Sequence, residues 1–293
     1  MVLNPRKVAP YMFIAPIIIL ICIFKLVPIG YSFWLSVMKY NIVDPQDSTF
    51  VGFANFMKLF GDEYIWKSIL NTVYYTVGTL GIGIVLSLLI ALLICEPWFK
   101  LQGMARALLF VPYIMSMVIS GLVWSYIYQP DFGILNLVLG KLHLPEQKLL
   151  GQPRVAMWAV IIMVIWRDLG YRITIWSAGI LSISRDYTEA ARIDGANWLQ
   201  EVLLIKLPLL RPVAMFLTVL GIIGSFQAFE SVYVLTSGGP ARATEVIVYN
   251  LWREAFAKNN IGYASAIAWL LFVILISFTL LQMKLLYGEE EGN

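Results

Sequence analysis

Three stretches of this chain, Ile69 to Cys95, Ala107 to Tyr128 and Asn259 to Met283, contain no Asp, Glu, Lys or Arg. Each matches or exceeds the roughly 20 residues a helix needs to cross bilayer hydrocarbon. Inside hydrocarbon the backbone must satisfy its own polar groups, which a helix does within one segment. Composition agrees. The chain is 60% hydrophobic and 13% charged, with a mean hydropathy of +0.78, against about 45–50% apolar and 25% charged residues in soluble domains. The excess is too large for one soluble core, and the reading is an all-α, polytopic membrane protein.

Six spans are predicted within a single membrane domain over residues 1–293: about 10–37, 69–95, 106–128, 155–181, 212–235 and 263–284. Three carry charge. The first holds Lys25, the fourth Arg167, Asp168 and Arg172, and the fifth Glu230 near its end. Splitting the first or fourth at its charges would leave fragments of roughly 17 residues or fewer, short for a crossing. The apolar start is too long for a signal-peptide core and shows no convincing cleavage site, so it reads as a retained span. Aromatic residues at span ends (Tyr31, Trp34, Trp66, Trp124, Tyr126 and Tyr128) read as interfacial anchors.

An even number of spans puts both termini on one side. With the termini inside, nine basic residues fall in inner segments and nine in outer ones. Only the higher basic density of the shorter inner loops favours cytoplasmic termini. The two cysteines, Cys22 and Cys95, lie in apolar segments with no metal or disulfide spacing. The one histidine, His143, sits in a polar loop, which leaves little for histidine-based catalysis or metal binding. Scattered methionines are packing residues. The net charge of +3 says nothing of nucleic acid.

The segment 182–211, between the fourth and fifth spans, reads as two short helices joined by a glycine. Ser184 or Asp186 can cap the first, and Glu189 near its start suits the helix dipole. Ala190 and Ala191 favour helix and leave room for a close neighbour. Gly195 suits the left-handed residue that ends a helix. Asn197 followed by Gln200 predicts a capping box for the second helix, and Pro208 marks its end. Such a knuckle, carrying both charge signs, is a docking surface rather than a catalytic one.

In spacing it resembles a known family. Glu189-Ala190-Ala191, three residues, Gly195, nine residues, Ile205, one residue, then Leu207-Pro208 is similar to the signature loop of inner-membrane permeases of binding-protein-dependent ABC importers. Val51-Gly-Phe-Ala-Asn55-Phe, Tyr128-Gln-Pro130-Asp131-Phe-Gly133 and the stretch from Ser225 to Pro240 resemble further segments of the sugar-uptake, maltose permease-like branch. Members of that branch also carry glycerol phosphate and related polyols.

The resemblance implies a type I importer bundle of six transmembrane helices with a cytoplasmic coupling helix, in a prokaryotic inner membrane with both termini cytoplasmic. It implies that Glu189, Ala190, Ala191, Asp194, Gly195, Ile205, Leu207 and Pro208 form the coupling surface, with Glu189 pairing with a basic group on an ATPase subunit. The implied partners are a second homologous permease, two ABC ATPases carrying ATP-Mg, and an extracellular solute-binding protein that delivers a sugar. The chain shows no P-loop of its own: Gly140-Lys141 is followed by Leu142 and lacks the upstream glycine. It is therefore expected to hold no cofactor and to be a transport subunit rather than an enzyme.

Ionisable groups inside spans face bundle interiors or water-filled paths. Asp168 and Arg172, four apart, share a helix face and predict an internal ion pair, which leaves Arg167 as the better candidate for touching solute. Gln227 and Glu230, three apart near Ser225, are expected with Tyr233 to line a pathway, and Asn71 and Tyr75 are weaker candidates. Aromatic rings beside hydrogen-bonding groups suit a sugar. An ion-coupled secondary transporter is the rival from another class, and the loop argues against it. A membrane-embedded enzyme would need a catalytic constellation that a single histidine makes thin.

Overall fold

The computed structural model describes residues 5–42 and 44–287 and is mostly helical. The two termini, expected to be cytoplasmic, lie outside the described residues, as do the side chains of Arg6 and Lys7. The chain divides into two compact units, Met1–Glu63 with Asn250–Ile274, and Tyr64–Tyr249 with Leu275–Asn293.

In the first unit, α1 (Pro5–Ile21) runs through a wide turn, Cys22–Leu26, into α2 (Val27–Ser36). The turn is of π type: the Val27 amide bonds back to the Cys22 carbonyl. Its cause is Pro28. A proline has no amide to donate and its ring collides with the carbonyl four residues back, so a widened turn just ahead of it relieves the clash. Lys25 lies on this turn with its side chain exposed. A two-residue hairpin, β1 (Met38–Lys39) and β2 (Thr49–Phe50), pairs Met38 with Phe50. Next, α3 (Ala54–Gly61) carries Asn55, whose Nδ2 donates to the carbonyls of Ser36 at 2.8 Å and Met38 at 3.0 Å. That one amide fixes how the first span ends.

The second unit begins with α4 (Glu63–Ile94), α5 (Gln102–Ile114), α6 (Met117–Ile127) and α7 (Ile134–Lys141). It continues with α8 (Ala156–Ser182), α9 (Arg185–Ile193), α10 (Trp198–Glu201), α11 (Leu207–Leu209), α12 (Arg211–Phe226) and α13 (Glu230–Leu235). Two helices complete the chain order, α14 (Ile247–Trp252) and α15 (Ile261–Tyr287). Among the described residues, Phe13–Ser36, Glu63–Ile94 and Ile261–Gln282 are long and apolar enough to cross a membrane as single segments. The fourth predicted span is unbroken, as expected, despite its three charges. Its 27 residues make a helix of about 40 Å, longer than the roughly 30 Å of hydrocarbon.

Two predicted spans are not single helices. The third, 106–128, is α5 and α6 bent by 95°. Pro112 removes an amide within α5, Met115 and Ser116 are extended, and the Ser116 hydroxyl accepts from the Ile119 amide to start a new helix. The fifth, 212–235, is unwound between α12 and α13 at Gln227–Phe229. Gln227 and Glu230 therefore do not share a continuous helical face.

Candidate functional site

Ser184 caps α9, accepting from the Asp186 amide. The helix ends as the sequence predicts: the Ala196 amide reaches back to the Ala191 carbonyl at 2.9 Å and Gly195 has φ +84°. That left-handed conformation is strained for any residue with a β-carbon. Beyond it, Asn197 and Gln200 form the reciprocal capping box, at 2.9 and 2.8 Å. A second π turn, Val202–Lys206, precedes Pro208 at the same offset as the turn before Pro28, and for the same reason. The helix then ends at Leu209, one residue beyond the predicted proline boundary, and bends by 62° into α12.

Glu189, Ala190, Asp194 and Gly195 are exposed, Ala191, Ile205 and Leu207 are half-buried, and Pro208 is exposed. The α9 helix also exposes Tyr187 (58%) and Ile193 (85%). An isoleucine so open on a charged nine-residue helix is a surface that this chain alone leaves uncovered.

Beneath the knuckle lies a charge network that sequence reasoning did not find. Lys206 Nζ sits 2.8 Å from Glu201 Oε1 and 3.1 Å from Glu96 Oε1. Arg192 Nε donates to Glu201 Oε2 at 3.0 Å, and Trp198 Nε1 donates to Glu96 Oε1 at 2.9 Å. Glu96, Glu201 and Lys206 are all buried. Burial alone pushes the Lys206 ammonium down, but its bonds to Glu201 and Glu96 outweigh that and hold it above the ordinary lysine range. Burial likewise pushes Glu201 up, yet Lys206 and Arg192 hold it below the ordinary carboxylate range. Two carboxylates and two cations thus neutralise one another across α9, α10, the π turn and the end of α4. No local spacing rule links Glu96 to Lys206. The one signal available was a lone charge beside each apolar span.

Apolar contacts extend the tie. Val202, Leu210 and Leu217 pack with Ala91, Leu92 and Ile94 at the end of α4 and with Ile173, Trp176 and Ile180 of α8.

A cavity of about 500 Å³ opens among α4, α5, α6, α8, α12 and α13, inside the roughly 300–1,000 Å³ range of small-molecule sites. Tyr75, Arg167, Gln227 and Glu230 line it, whereas Asn71 and Tyr233 lie outside the lining. Asn71 Nδ2 donates to the carbonyls of Arg242 and Glu245, each at 3.1 Å. Tyr233 stacks on Phe229, with ring centroids 5.2 Å apart. Tyr75 is buried, its hydroxyl 3.5 Å from Ser231 Oγ.

The expected Asp168–Arg172 pairing is corrected. Asp168 pairs with its neighbour Arg167 at 2.8 Å. Arg167 Nε also donates to the Met115 carbonyl at 3.3 Å, at the break between α5 and α6, and its guanidinium lies 5.3 Å from the centre of the Tyr113 ring. Arg172 instead donates to the Thr79 carbonyl of α4 at 2.7 Å. It lies where a β-carbon on Gly83 would be. The missing side chain makes the room that draws Arg172 onto α4.

Residues 83–286 match the family model described as binding-protein-dependent transport system inner membrane component. The chain is 30% identical over 290 residues to the arabinooligosaccharides transport system permease protein AraP of Bacillus subtilis, covering 98% of this chain and 91% of that one. It is 32% identical over 284 residues to the sn-glycerol-3-phosphate transport system permease protein UgpA of Agrobacterium fabrum, covering 97% and 96%. In fold it is similar to a chain of a bacterial alginate ABC transporter solved with an alginate pentasaccharide-bound periplasmic protein. The TM-score there is 0.82 at 24% identity, covering 94% of this chain and 93% of that one.

Proposed function

The chain belongs to the binding-protein-dependent transport system inner membrane component family, and on that premise we propose that it is the permease subunit of an ATP-driven importer moving a sugar through the cavity beside Arg167 and Glu230. The observation that carries the reading is one continuous arrangement. An exposed helix, α9, is joined through Arg192, Glu201, Lys206 and Glu96 to the end of α4, and α4 lines the cavity.

In this reading one transmembrane domain over 1–293 crosses the membrane six times, as α1–α2, α4, α5–α6, α8, α12–α13 and α15, with both termini and α9 in the cytoplasm. Two separate ATPase subunits carry ATP-Mg. Each receives a coupling helix, with Glu189 meeting a basic group and Ala190 and Ala191 allowing close approach. Closure of the ATPase pair moves α9, and the buried network carries that motion to α4 as a rigid body. A second, homologous permease completes the pathway, and an extracellular binding protein delivers the sugar. Import of glycerol phosphate is the second reading, favoured by the 32% identity to UgpA.

Co-purification and reconstitution test the proposal. The assembled complex in liposomes should import sugar only with ATP and the binding protein, and Glu189→Arg or Gly195→Pro should leave insertion intact while uncoupling ATP hydrolysis from uptake. ATPase docking unchanged by both substitutions, or uptake driven by an ion gradient without an ATPase, refutes it.

A further inference from the structure

We propose that the cavity accepts uncharged saccharides and rejects anionic solutes, with Glu230 as the residue that sets this preference; the inference rests on the cavity being the solute path.

Four charged side chains line the cavity, Arg167, Asp168, Arg172 and Glu230, and their formal charges cancel. They are not equally available. Arg167 is held by the Asp168 carboxylate, the Met115 carbonyl and the face of Tyr113. Arg172 is buried against Gly83 with its Nη1 on the Thr79 carbonyl. Asp168 is taken by Arg167. Glu230 is exposed and has no hydrogen bond or ion pair to the described residues. A solute therefore meets Glu230 as the exposed charged group with no contact partner among the described residues, while the Arg167 guanidinium is paired with Asp168 and the Arg172 guanidinium lies buried on the Thr79 carbonyl.

The remaining lining suits a neutral sugar. Gln227 is exposed and offers an amide donor and acceptor to hydroxyl groups. Tyr113, Tyr171 and Phe229 add aromatic rings to the lining, Tyr113 and Tyr171 stacked on each other at 4.8 Å. Between an anion and a carboxylate at separations of several ångströms, repulsion in a partly screened cavity is worth about tenfold or more in affinity.

A plainer role exists for Glu230. It stands in the first turn of α13, where a carboxylate favours the helix dipole. That role predicts a change in stability and none in solute preference, so the two are separable.

The test uses the assembled permease–ATPase complex in lipid nanodiscs, without the binding protein. Maltotriose serves as the neutral probe, and tri-galacturonate and glycerol 3-phosphate serve as the anionic ones, with binding read by saturation-transfer NMR titration. Wild type should bind maltotriose at least about tenfold more tightly than tri-galacturonate. Glu230→Gln should close that gap to about twofold by strengthening the anion alone, and Glu230→Asp should retain it. The proposal is overturned if wild type binds tri-galacturonate or glycerol 3-phosphate as well as maltotriose, if the gap survives in Glu230→Gln, or if no probe binds. Gly224→Trp, which fills the cavity, separates the two levels. Undiminished maltotriose binding in that variant removes the cavity as the solute path and the proposal with it. Binding lost in Gly224→Trp but indifferent to Glu230 leaves the path standing and sinks only the charge preference.

Discussion

Lys206 Nζ lies 3.1 Å from Glu96 Oε1, 110 residues away in sequence, and this contact joins the segment that follows α9 to the turn just beyond α4. Apolar packing around it would hold the two elements together in many registers. A buried charge pair with a further carboxylate on the same ammonium permits few.

Truncating that ammonium should have a large effect. Lys206→Met leaves buried Glu96 without a cation and Glu201 with Arg192 alone, and breaking a buried pair in this way costs about 3–5 kcal/mol. Hydrogen exchange of residues 196–210 should rise, and ATP hydrolysis should continue with reduced sugar uptake. Unchanged exchange and an unchanged ratio of uptake to hydrolysis would show the network to be idle.

The same network sets a pH window. Glu201 is held below the ordinary glutamate range, so its contribution is complete above about pH 4.3 and fades only as pH falls through the lower, folded value. Lys206 is held above the ordinary lysine range, so its contribution is complete below about pH 10.4 and fades as pH rises through the higher, folded value. Exchange protection at residues 198–206 should thus stay flat between those limits. Glu201→Gln should lower it across the same window.

Gly83 and Arg172 form a second pairing open to test. Gly83→Ala puts a methyl group onto Arg172 Nη1 and should lower stability by about 1–3 kcal/mol, the usual range for overpacking. Thermal unfolding in detergent measures it. Arg172→Leu in the same chain should remove the clash while leaving the Thr79 carbonyl without its donor, so the two substitutions should not add.

Arg167 has a structural task at the break between α5 and α6. Arg167→Met should free the Met115 carbonyl and strand Asp168, raising amide exchange across residues 114–120. Asp168→Asn with Arg167→Met should recover part of the loss, since the stranded charge is then gone. Exchange in Arg167→Met no higher than in wild type would mean that the bend holds without the guanidinium.

The long apolar helices, the glycine-ended helix at Gly195 and the capping box at Asn197 and Gln200 were readable in sequence because each depends on neighbours within a few residues. Apolar length answers to bilayer thickness, and a cap answers to the next turn of backbone. The breaks in the third and fifth spans were not readable. Pro112 is tolerated in many membrane helices, and what turns α5 by 95° into α6 includes a carbonyl answered by Arg167, 52 residues on.

Among the ionisable residues the division is sharper. That Asp168 and Arg172 could pair followed from a spacing of four. That Arg172 turns away to α4 depends on space over Gly83, and Asp168 then falls to Arg167. Glu96, Glu201 and Lys206 carried no sequence signal beyond lone charges near apolar spans, yet the fold buries all three and pairs them. Sequence alone determined that this chain spans a membrane and carries a short capped helix ending at Gly195, since hydrocarbon length and helix capping are local demands. Which charges find each other was decided only by the tertiary structure, because a buried charge answers to whatever the packing brings beside it.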